Sequence, residues 1–324
     1  MSTASRETTS PRSSAKSSSL LTVLLALGAN IIVAIAKSVA GFLTGSASMV
    51  AEAAHSWADA GNELFLLQAE RVAVRPRDPA HPGGYGREAY VWSLFAAVGL
   101  FTAGAVVSIM HGVSQLGAEE PETDYLINYI VLAVAFVFEG VSFMQSYRQA
   151  HALADERGTS TVEHVLSTSN PTLRAVFAED AAALIGLLIA FLGVLLHELT
   201  GNAVFDALGS ILVGVLLAIV AFVLIDRNRR FLLGEQAPER VTQAVLGMLL
   251  RHPEVSSVSY LHLEYVGPER VFLVAAVDLV GNDRESDVAD DLYAVEQELE
   301  RNEHIAEAVL TLSRRGQPTL RASE

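Results

Sequence analysis

Cysteine is absent from this 324-residue chain, so neither disulfide bonds nor thiolate metal sites can form. Positive charge is scarce, because 22 Lys and Arg stand against 37 Asp and Glu and give a formal net charge of −15. The chain therefore lacks the basic face that nucleic-acid binding requires. Charged residues make up only 18% of the chain and hydrophobic residues 51%. The long apolar runs all precede residue 226, which predicts a membrane domain followed by an extramembrane domain.

Six segments come close to the roughly 20 apolar residues that a membrane-spanning helix needs. They are Leu20–Leu43, Ala47–Val72, Tyr90–Leu116, Tyr125–Ser146, Leu173–Leu196 and Ala203–Leu224. Residues 1–19 are rich in Ser and Thr and predict a disordered tail. A cleaved signal peptide fits poorly, because the first apolar run is too long and leads into a helical hairpin. The expected divisions are this tail, a six-helix membrane domain over 20–226, an α+β domain over 232–314 and a tail over 315–324.

Basic residues are confined to alternate loops, which predicts the orientation of the spans. They occur in the N-terminal tail and after the second, fourth and sixth predicted spans. The opposite loops contain none, and one of them, Gly117–Asp124, holds three Glu and one Asp. Both termini are therefore expected in the cytoplasm, with the plasma membrane as the default location.

Beyond Glu235 the pattern becomes that of a soluble α+β domain. Apolar periodicity predicts helices over Pro238–Arg251 and Ser286–Asn302, and strands over Val255–Tyr265, Arg270–Leu279 and Ala308–Leu312. The order αββαβ suits two layers, with the helices on one face of a sheet. Roughly 80 residues bury only a modest core, so a second copy of the chain is an expected partner.

The second span carries ionisable residues where a lipid environment makes them costly. A three-to-four spacing puts four polar residues on one helix face: Glu52, His55, Asp59 and Asn62. A hydrogen bond between helices explains Glu52, or the neighbouring Glu63, as well as a functional role does. His55 and Asp59 lie one turn apart deep in the span, so together they predict an ion site.

The fifth span contains the adjacent carboxylates Glu179 and Asp180. Such close like charges repel, so at least one is expected to be protonated or bound to a cation, unless a helix end near water explains both. Combined with His55 and Asp59, they offer one nitrogen and several oxygens. This set suits Zn²⁺ and would also accept Mn²⁺, Co²⁺ or Fe²⁺. Metal and protons compete for such ligands, which is a basis for exchange.

Several motifs, in order along Leu20–Leu312, resemble the cation diffusion facilitator family. They are Asn30, Lys37 and Gly41, Thr44-Gly-Ser-Ala-Ser48, Ala51-Glu-Ala-Ala-His-Ser-Trp-Ala-Asp59, the loop Asp78–Glu88, Phe205-Asp-Ala-Leu-Gly-Ser210 and Leu232-Leu-Gly-Glu235. Glu179-Asp180, with Phe138-Glu139-Gly140 and His111-Gly112, resembles the branch that contains the mitochondrial-type zinc transporters.

This resemblance implies a homodimer with six spans per protomer and a cytoplasmic ferredoxin-like domain. It also implies a secondary transporter, not an enzyme, which exports Zn²⁺ or a related ion in exchange for protons and needs no cofactor. His55 and Asp59 match the family's ligand pair in the second span. If Gly186 matches the family's glycine, Asp180 takes the place of the usual aspartate and Val176 that of the usual histidine. Glu179, one turn from Val176, could supply the missing ligand.

Other polar residues leave their roles open. Glu139 could be a further ligand, a proton carrier or a counter-charge for Lys37, the only lysine in the spans, and an ion pair is preferred. Asp206 could cap a helix, pack or contact metal. His81, beside Asp78, is a possible loop ligand, whereas the ligand-free last strand argues against a regulatory zinc cluster.

Two functions other than transport are alternatives. A metal-responsive sensor or scaffold would change its soluble domain on binding metal without moving any ion. An intramembrane metallohydrolase would need a catalytic base, and the sequence has no HExxH or comparable motif.

Overall fold

The computed structural model describes residues 12–117, 125–281 and 284–321. The helices are α1 (Arg12–Thr44), α2 (Ala47–Ala73), α3 (Glu88–Ala96), α4 (Thr102–Gln115), α5 (Tyr125–Arg157), α6 (Thr161–Ser167), α7 (Pro171–Thr200), α8 (Val204–Leu232), α9 (Glu239–Arg251) and α10 (Glu285–Glu300). A π-helical turn over Ala97–Phe101 joins α3 to α4. The strands are β1 (Val255–Gly267), β2 (Arg270–Leu279) and β3 (Ile305–Leu312).

Five helical segments among the described residues are long and apolar enough to cross a membrane. They are Leu27–Thr44, Glu88–Gln115, Tyr125–Arg157, Pro171–Thr200 and Val204–Leu232. Large apolar side chains on them are exposed, including Phe42, Met110 and Phe222, as a lipid-facing surface requires. The chain is therefore a helical, multi-pass membrane protein.

Helix α2 has the predicted bounds but is not one of these apolar segments. Its 27 residues include three Glu, one Asp, one Arg and the buried His55, so its average polarity is high. The polar residues that lower the apolar character of α2 include His55 and Asp59, the pair that predicts an ion site.

Several helices extend beyond the predicted spans. Helix α1 begins at Arg12, inside the tail predicted to be disordered, because no Gly or Pro interrupts residues 12–27 and the helix can extend back to Pro11. The rest of that tail, residues 1–11, lies outside the described residues. Helix α5 ends at Arg157, directly before Gly158, and α8 ends at Leu232, two residues before Gly234. Both glycines have a positive φ, a left-handed conformation that ends a helix.

The described chain forms two compact units. The first is built from the described parts of Met1–Glu63, Leu100–Ser142 and Ala181–Ile219. Its apolar core includes Val33, Met49, Leu132 and Leu187. Helices α4 and α8 approach closely through glycine: a Cβ on Gly112 would lie 2.7 Å from the Ala207 carbonyl oxygen, and one on Gly214 would lie 2.9 Å from that of Ala105.

The second unit comprises the described parts of Leu64–Gly99, Phe143–Asp180 and Val220–Glu324. It contains the predicted αββαβ series, here α9-β1-β2-α10-β3. The three-stranded sheet has the order β1-β2-β3, with β1 and β2 antiparallel and β2 and β3 parallel. Alternate residues of β2 are buried against the helices: Val271, Leu273, Ala275 and Val277. The parallel pair β2 and β3 needs a crossover, and α10 supplies it.

Two further departures concern short segments. Helix α6 is absent from the predicted elements, although Ser160 and Glu163 form a recognisable N-terminal signal, and the Glu163 amide donates to the Ser160 hydroxyl at 3.3 Å. At the C-terminus, part of the predicted tail is ordered against the sheet, because the Leu320 amide donates to the Val258 carbonyl at 2.7 Å. Most of the acidic loop Gly117–Asp124 lies outside the described residues.

Candidate metal site

His55 and Asp59 form a buried pair on α2. His55 is fully buried and Asp59 is 5% exposed, and the His55 Nε2 lies 3.2 Å from the Asp59 Oδ2. This is an ion-pair distance, but its geometry is not that of a hydrogen bond. Both ring nitrogens of His55 lack a hydrogen-bond partner among the described residues. A buried polar atom without a partner is costly, and it is expected where a ligand is to be bound.

A glycine on α7 leaves room beside this pair. A Cβ on Gly186 would lie 2.5 Å from the Glu52 Oε1 and 3.9 Å from the His55 Nδ1. The Glu52 Oε1 and the Ser56 hydroxyl are also buried without hydrogen-bond partners among the described residues. Unsatisfied oxygens and nitrogens therefore converge where α7 approaches α2.

Lys37 on α1 is held by two carboxylates. Its Nζ donates to the Glu52 Oε2 at 2.9 Å, and both side chains are fully buried. The Glu139 Oε1 lies 3.9 Å from the same nitrogen. The predicted ion pair between Lys37 and Glu139 is thus present, but Glu52 is the nearer partner.

The Lys37–Glu52 pair was not predicted from the sequence, although the spacing of the two residues indicates it. The two residues lie nearly the same number of positions before and after the turn at Gly45, which has a φ of 67°. An antiparallel helical hairpin brings such positions to the same depth. Burial of the pair is consistent with the costs of charge in lipid, because neither charge is left alone.

Glu179 and Asp180 are both buried on α7, each 7% exposed. Two adjacent carboxylates are therefore withdrawn from water, and neither lies at a helix end, since α7 begins at Pro171. Across the described residues, no group of three or more His, Asp or Glu side chains is arranged to hold a metal ion. The contact described among the four predicted ligands is the one between His55 and Asp59.

Asp206 on α8 caps the N-terminus of α2. Its carboxylate accepts hydrogen bonds from the Ser46 hydroxyl at 2.9 Å, the Ala47 amide at 2.5 Å and the Ser48 amide at 3.2 Å. The Ser48 hydroxyl in turn donates to the Asp206 carbonyl at 2.8 Å. Of the roles that the sequence left open for Asp206, the structure shows the capping one.

The loop after α2 holds Asp78, His81 and Tyr85 in one internal network. The Tyr85 hydroxyl donates to the Asp78 Oδ2 at 2.6 Å, and the His81 amide donates to Oδ1 at 2.8 Å. The hydrogen bond from Tyr85 is the main reason that the pKa of Asp78 lies below its usual value, and the same bond raises the pKa of Tyr85. The possible ligands Asp78 and His81 are exposed and mutually engaged.

Three histidines, His252, His262 and His304, lie in or beside the α9-β1-β2-α10-β3 series. The His252 Nε2 is 3.3 Å from Glu298, the His262 Nε2 is 3.8 Å from Glu264, and the His304 Nδ1 is 3.0 Å from the Glu269 carbonyl oxygen. Each histidine therefore faces a different glutamate residue.

Comparison with known proteins identifies the family of this chain. Residues 23–233 match the family model described as the cation efflux transmembrane domain. Metal tolerance protein C4 of Arabidopsis thaliana is 33% identical over 80% of this chain and 57% of its own length. The mitochondrial proton-coupled zinc antiporter of Homo sapiens is 34% identical over 76% and 43%. An uncharacterized transporter of Methanocaldococcus jannaschii is 24% identical over 88% and 95%.

The chain spans about half the length of the first two relatives, whereas the family model covers the whole series from α1 to α8 apart from its first residues. The buried charged groups in apolar helices agree with a path for ions. The chain belongs to the cation efflux (cation diffusion facilitator) family, whose members are membrane transporters of metal cations and not enzymes.

Proposed function

We propose that this protein exports a divalent transition metal, Zn²⁺ first, from the cytoplasm in exchange for protons. The metal site proposed comprises His55 and Asp59 of α2 with Glu179 and Asp180 of α7. The observation that carries the proposal is His55, a buried imidazole beside a buried carboxylate with both ring nitrogens unsatisfied among the described residues.

The direction of the helices supports the choice of Glu179 and Asp180. A Cβ on Gly193 would lie 2.9 Å from the Ser48 hydroxyl, and one on Gly186 faces Glu52 and His55, so α7 runs antiparallel to α2. Going back along α7 from Gly186 therefore leads the same way as going from His55 to Asp59. Glu179 and Asp180 follow in that direction within about two turns.

The ligand set determines which ions fit. One imidazole nitrogen among carboxylate oxygens is harder than the nitrogen-rich sets that favour Zn²⁺ alone. Zn²⁺ binds such a set, and Mn²⁺, Fe²⁺ and Co²⁺ are the expected competitors. One of the relatives is named a zinc antiporter, which supports Zn²⁺ as the first ion to test.

Proton coupling follows from the same atoms. Metal binding requires a neutral imidazole and ionised carboxylates, so each bound metal excludes protons from the site. A site that loads metal from the cytoplasm and takes up protons on the other side would exchange the two. That the human relative is named proton-coupled supports this coupling.

Several features of architecture belong to the proposal. Helix α2 would be the sixth span, with both termini in the cytoplasm and the plasma membrane as the location, on the basis of the loop charges. The α9-β1-β2-α10-β3 domain would be ferredoxin-like, and two copies would pair as a homodimer, because its small core favours a partner surface. The domain limits would be 20–226 for transport and 232–314 for the cytoplasmic domain.

Liposome flux tests the proposal. Wild-type protein should move protons when Zn²⁺ is added on one side. The proton flux of the double variant Asp59→Ala with Asp180→Ala should be lower by a factor of at least about 10–100, because even the loss of a residue that only supports a ligand has an effect of this size. The exposed substitution Glu303→Ala controls for the loss of a carboxylate. Undiminished flux in a correctly inserted double variant would refute the site. Metal-induced change without any flux would favour a sensor or scaffold.

A further inference from the structure

A basic cavity lies in the second unit, between the loop that follows α2 and the tip of the β1–β2 hairpin. Its volume is about 230 Å³. Three arginines line it, Arg75, Arg77 and Arg270, and none of its lining residues is acidic. We call it the arginine pocket. This concentration of positive charge is unexpected in a chain with a net charge of −15.

Among the described residues, only one of the three guanidinium groups has a carboxylate close enough to form an ion pair. Arg77 Nη1 lies 3.3 Å from the Glu307 Oε2. Arg75 instead lies over the ring of Tyr85, with its Cζ 5.9 Å from the ring centre. Neither Arg75 nor Arg270 forms an ion pair among the described residues. Their charge is therefore available to an anion.

Glycine shapes the walls of the pocket. A Cβ on Gly86 would lie 2.5 Å from the Val266 carbonyl oxygen, so only glycine lets the loop lie this close to the hairpin. Gly84 has a φ of +80°, which L side chains rarely adopt. The lining between Arg77 and Tyr85 is thus backbone without bulky side chains, and a compact anion can approach the guanidinium groups.

The mouth of the pocket is apolar on one side. Val74, the first residue after α2, is 81% exposed and lines the same cavity as Arg75. An apolar group beside a cluster of arginines matches a ligand that has an anionic head and a hydrocarbon tail. Basic pockets at the cytoplasmic side of membrane helices bind phospholipid headgroups.

We propose that the arginine pocket binds a phosphate group, and that its occupant is the headgroup of an anionic phospholipid. Arg75 and Arg270 would hold the phosphate oxygens through charge-assisted, paired hydrogen bonds, a geometry that guanidinium groups offer and ammonium groups do not. Val74 would lie against the start of the acyl chain. The choice of a lipid over a soluble phosphate rests on the proposed exit of α2 from the membrane at this point. The basic character of the pocket does not depend on that exit.

The test uses the full chain, purified in a neutral detergent, with lipid retention measured by native mass spectrometry. The protein is mixed with phosphatidylglycerol, with phosphatidylcholine or with inorganic phosphate. One phosphatidylglycerol should remain bound per protomer, and the double variant Arg75→Gln with Arg270→Gln should bind it roughly thirtyfold more weakly. The exposed pair Arg301→Gln with Arg315→Gln removes the same charge elsewhere and should bind as the wild type does.

The outcomes separate the possible ligands. Saturable binding of inorganic phosphate that displaces no lipid, and that is lost in the Arg75 and Arg270 double variant, would keep the phosphate site but refute the lipid. Equal retention of phosphatidylcholine and phosphatidylglycerol, or equal losses in both double variants, would overturn the site itself. Zn²⁺ flux is measured separately, so a failure of transport and a failure of lipid binding are distinguishable.

Discussion

At the scale of single residues, the chain places charge inside the membrane in two different ways. Lys37 is neutralised by Glu52 and Glu139, which makes it part of the structure. His55 lies beside Asp59, and neither of its ring nitrogens has a hydrogen-bond partner among the described residues. Removing one partner of a buried ion pair leaves an uncompensated charge, whereas an unsatisfied imidazole is expected to bind something. The contrast distinguishes the Lys37 ion pair from the proposed ligand pair, which begins only three residues after Glu52 on α2.

Gly186 provides a test at this scale. In Gly186→Ala the new methyl group would meet the Glu52 Oε1 at 2.5 Å, and Glu52 cannot retreat without disturbing its bond to Lys37. The expected cost is about 1–3 kcal/mol, as for other overpacked sites. It should appear as a lower midpoint of thermal unfolding in detergent, with weaker Zn²⁺ binding.

Gly140→Ala is the matched control, because a Cβ at Gly140 on α5 meets nothing within 4 Å. Replacing glycine within a helix should there stabilise the protein by about 0.5–1 kcal/mol. If Gly186→Ala were as harmless as Gly140→Ala, the close approach of α7 to Glu52 would be wrong.

At the scale of secondary-structure elements, α2 is fixed at its N-terminus by a residue from another helix. Asp206 of α8 satisfies two amides and one hydroxyl at the start of α2. Removal of such a cap leaves buried donors unsatisfied, since water does not reach them. The position of His55 and Asp59 along α2 therefore depends on a cap that α8 supplies.

The substitution Asp206→Ala separates capping from metal binding. It should destabilise the protein by about 1–2 kcal/mol, measured as a fall in the unfolding midpoint. Zn²⁺ affinity of the protein that remains folded should change by less than about threefold, equivalent to less than 1 kcal/mol. A loss of affinity as large as that in Asp59→Ala would instead make Asp206 a ligand.

The elements also show what the sequence could predict. Helix α2 begins and ends within one residue of its predicted span, and the α9-β1-β2-α10-β3 series has the order that apolar periodicity predicted, although β3 begins three residues earlier than predicted. Helices α5 and α8 extend beyond their predicted ends and stop shortly before Gly158 and Gly234, whereas glycines inside helices, such as Gly186 in α7, do not end them. The partnership of Lys37 with Glu52 and the cap from Asp206 depend on which helices are neighbours, and periodicity along one segment does not contain that information.

At the scale of the whole molecule, the membrane helices and the three-stranded sheet carry different proposed sites. Helices α2 and α7 carry the residues of the proposed metal site, and the chain belongs to the cation efflux family. The three-stranded sheet contributes no assembled metal site among the described residues. Its hairpin instead forms one wall of the arginine pocket, so the proposed lipid contact would link the loop after α2 to the soluble domain.

The proposed binding site for the transported metal consists of His55 and Asp59 with Glu179 and Asp180. Anomalous scattering recorded on both sides of the zinc absorption edge, from crystals grown with Zn²⁺, tests it most directly. The account predicts a strong peak about 2.0–2.1 Å from a ring nitrogen of His55, with carboxylate oxygens of the other three residues around it. A peak between Asp78 and His81 with none at His55 would contradict it.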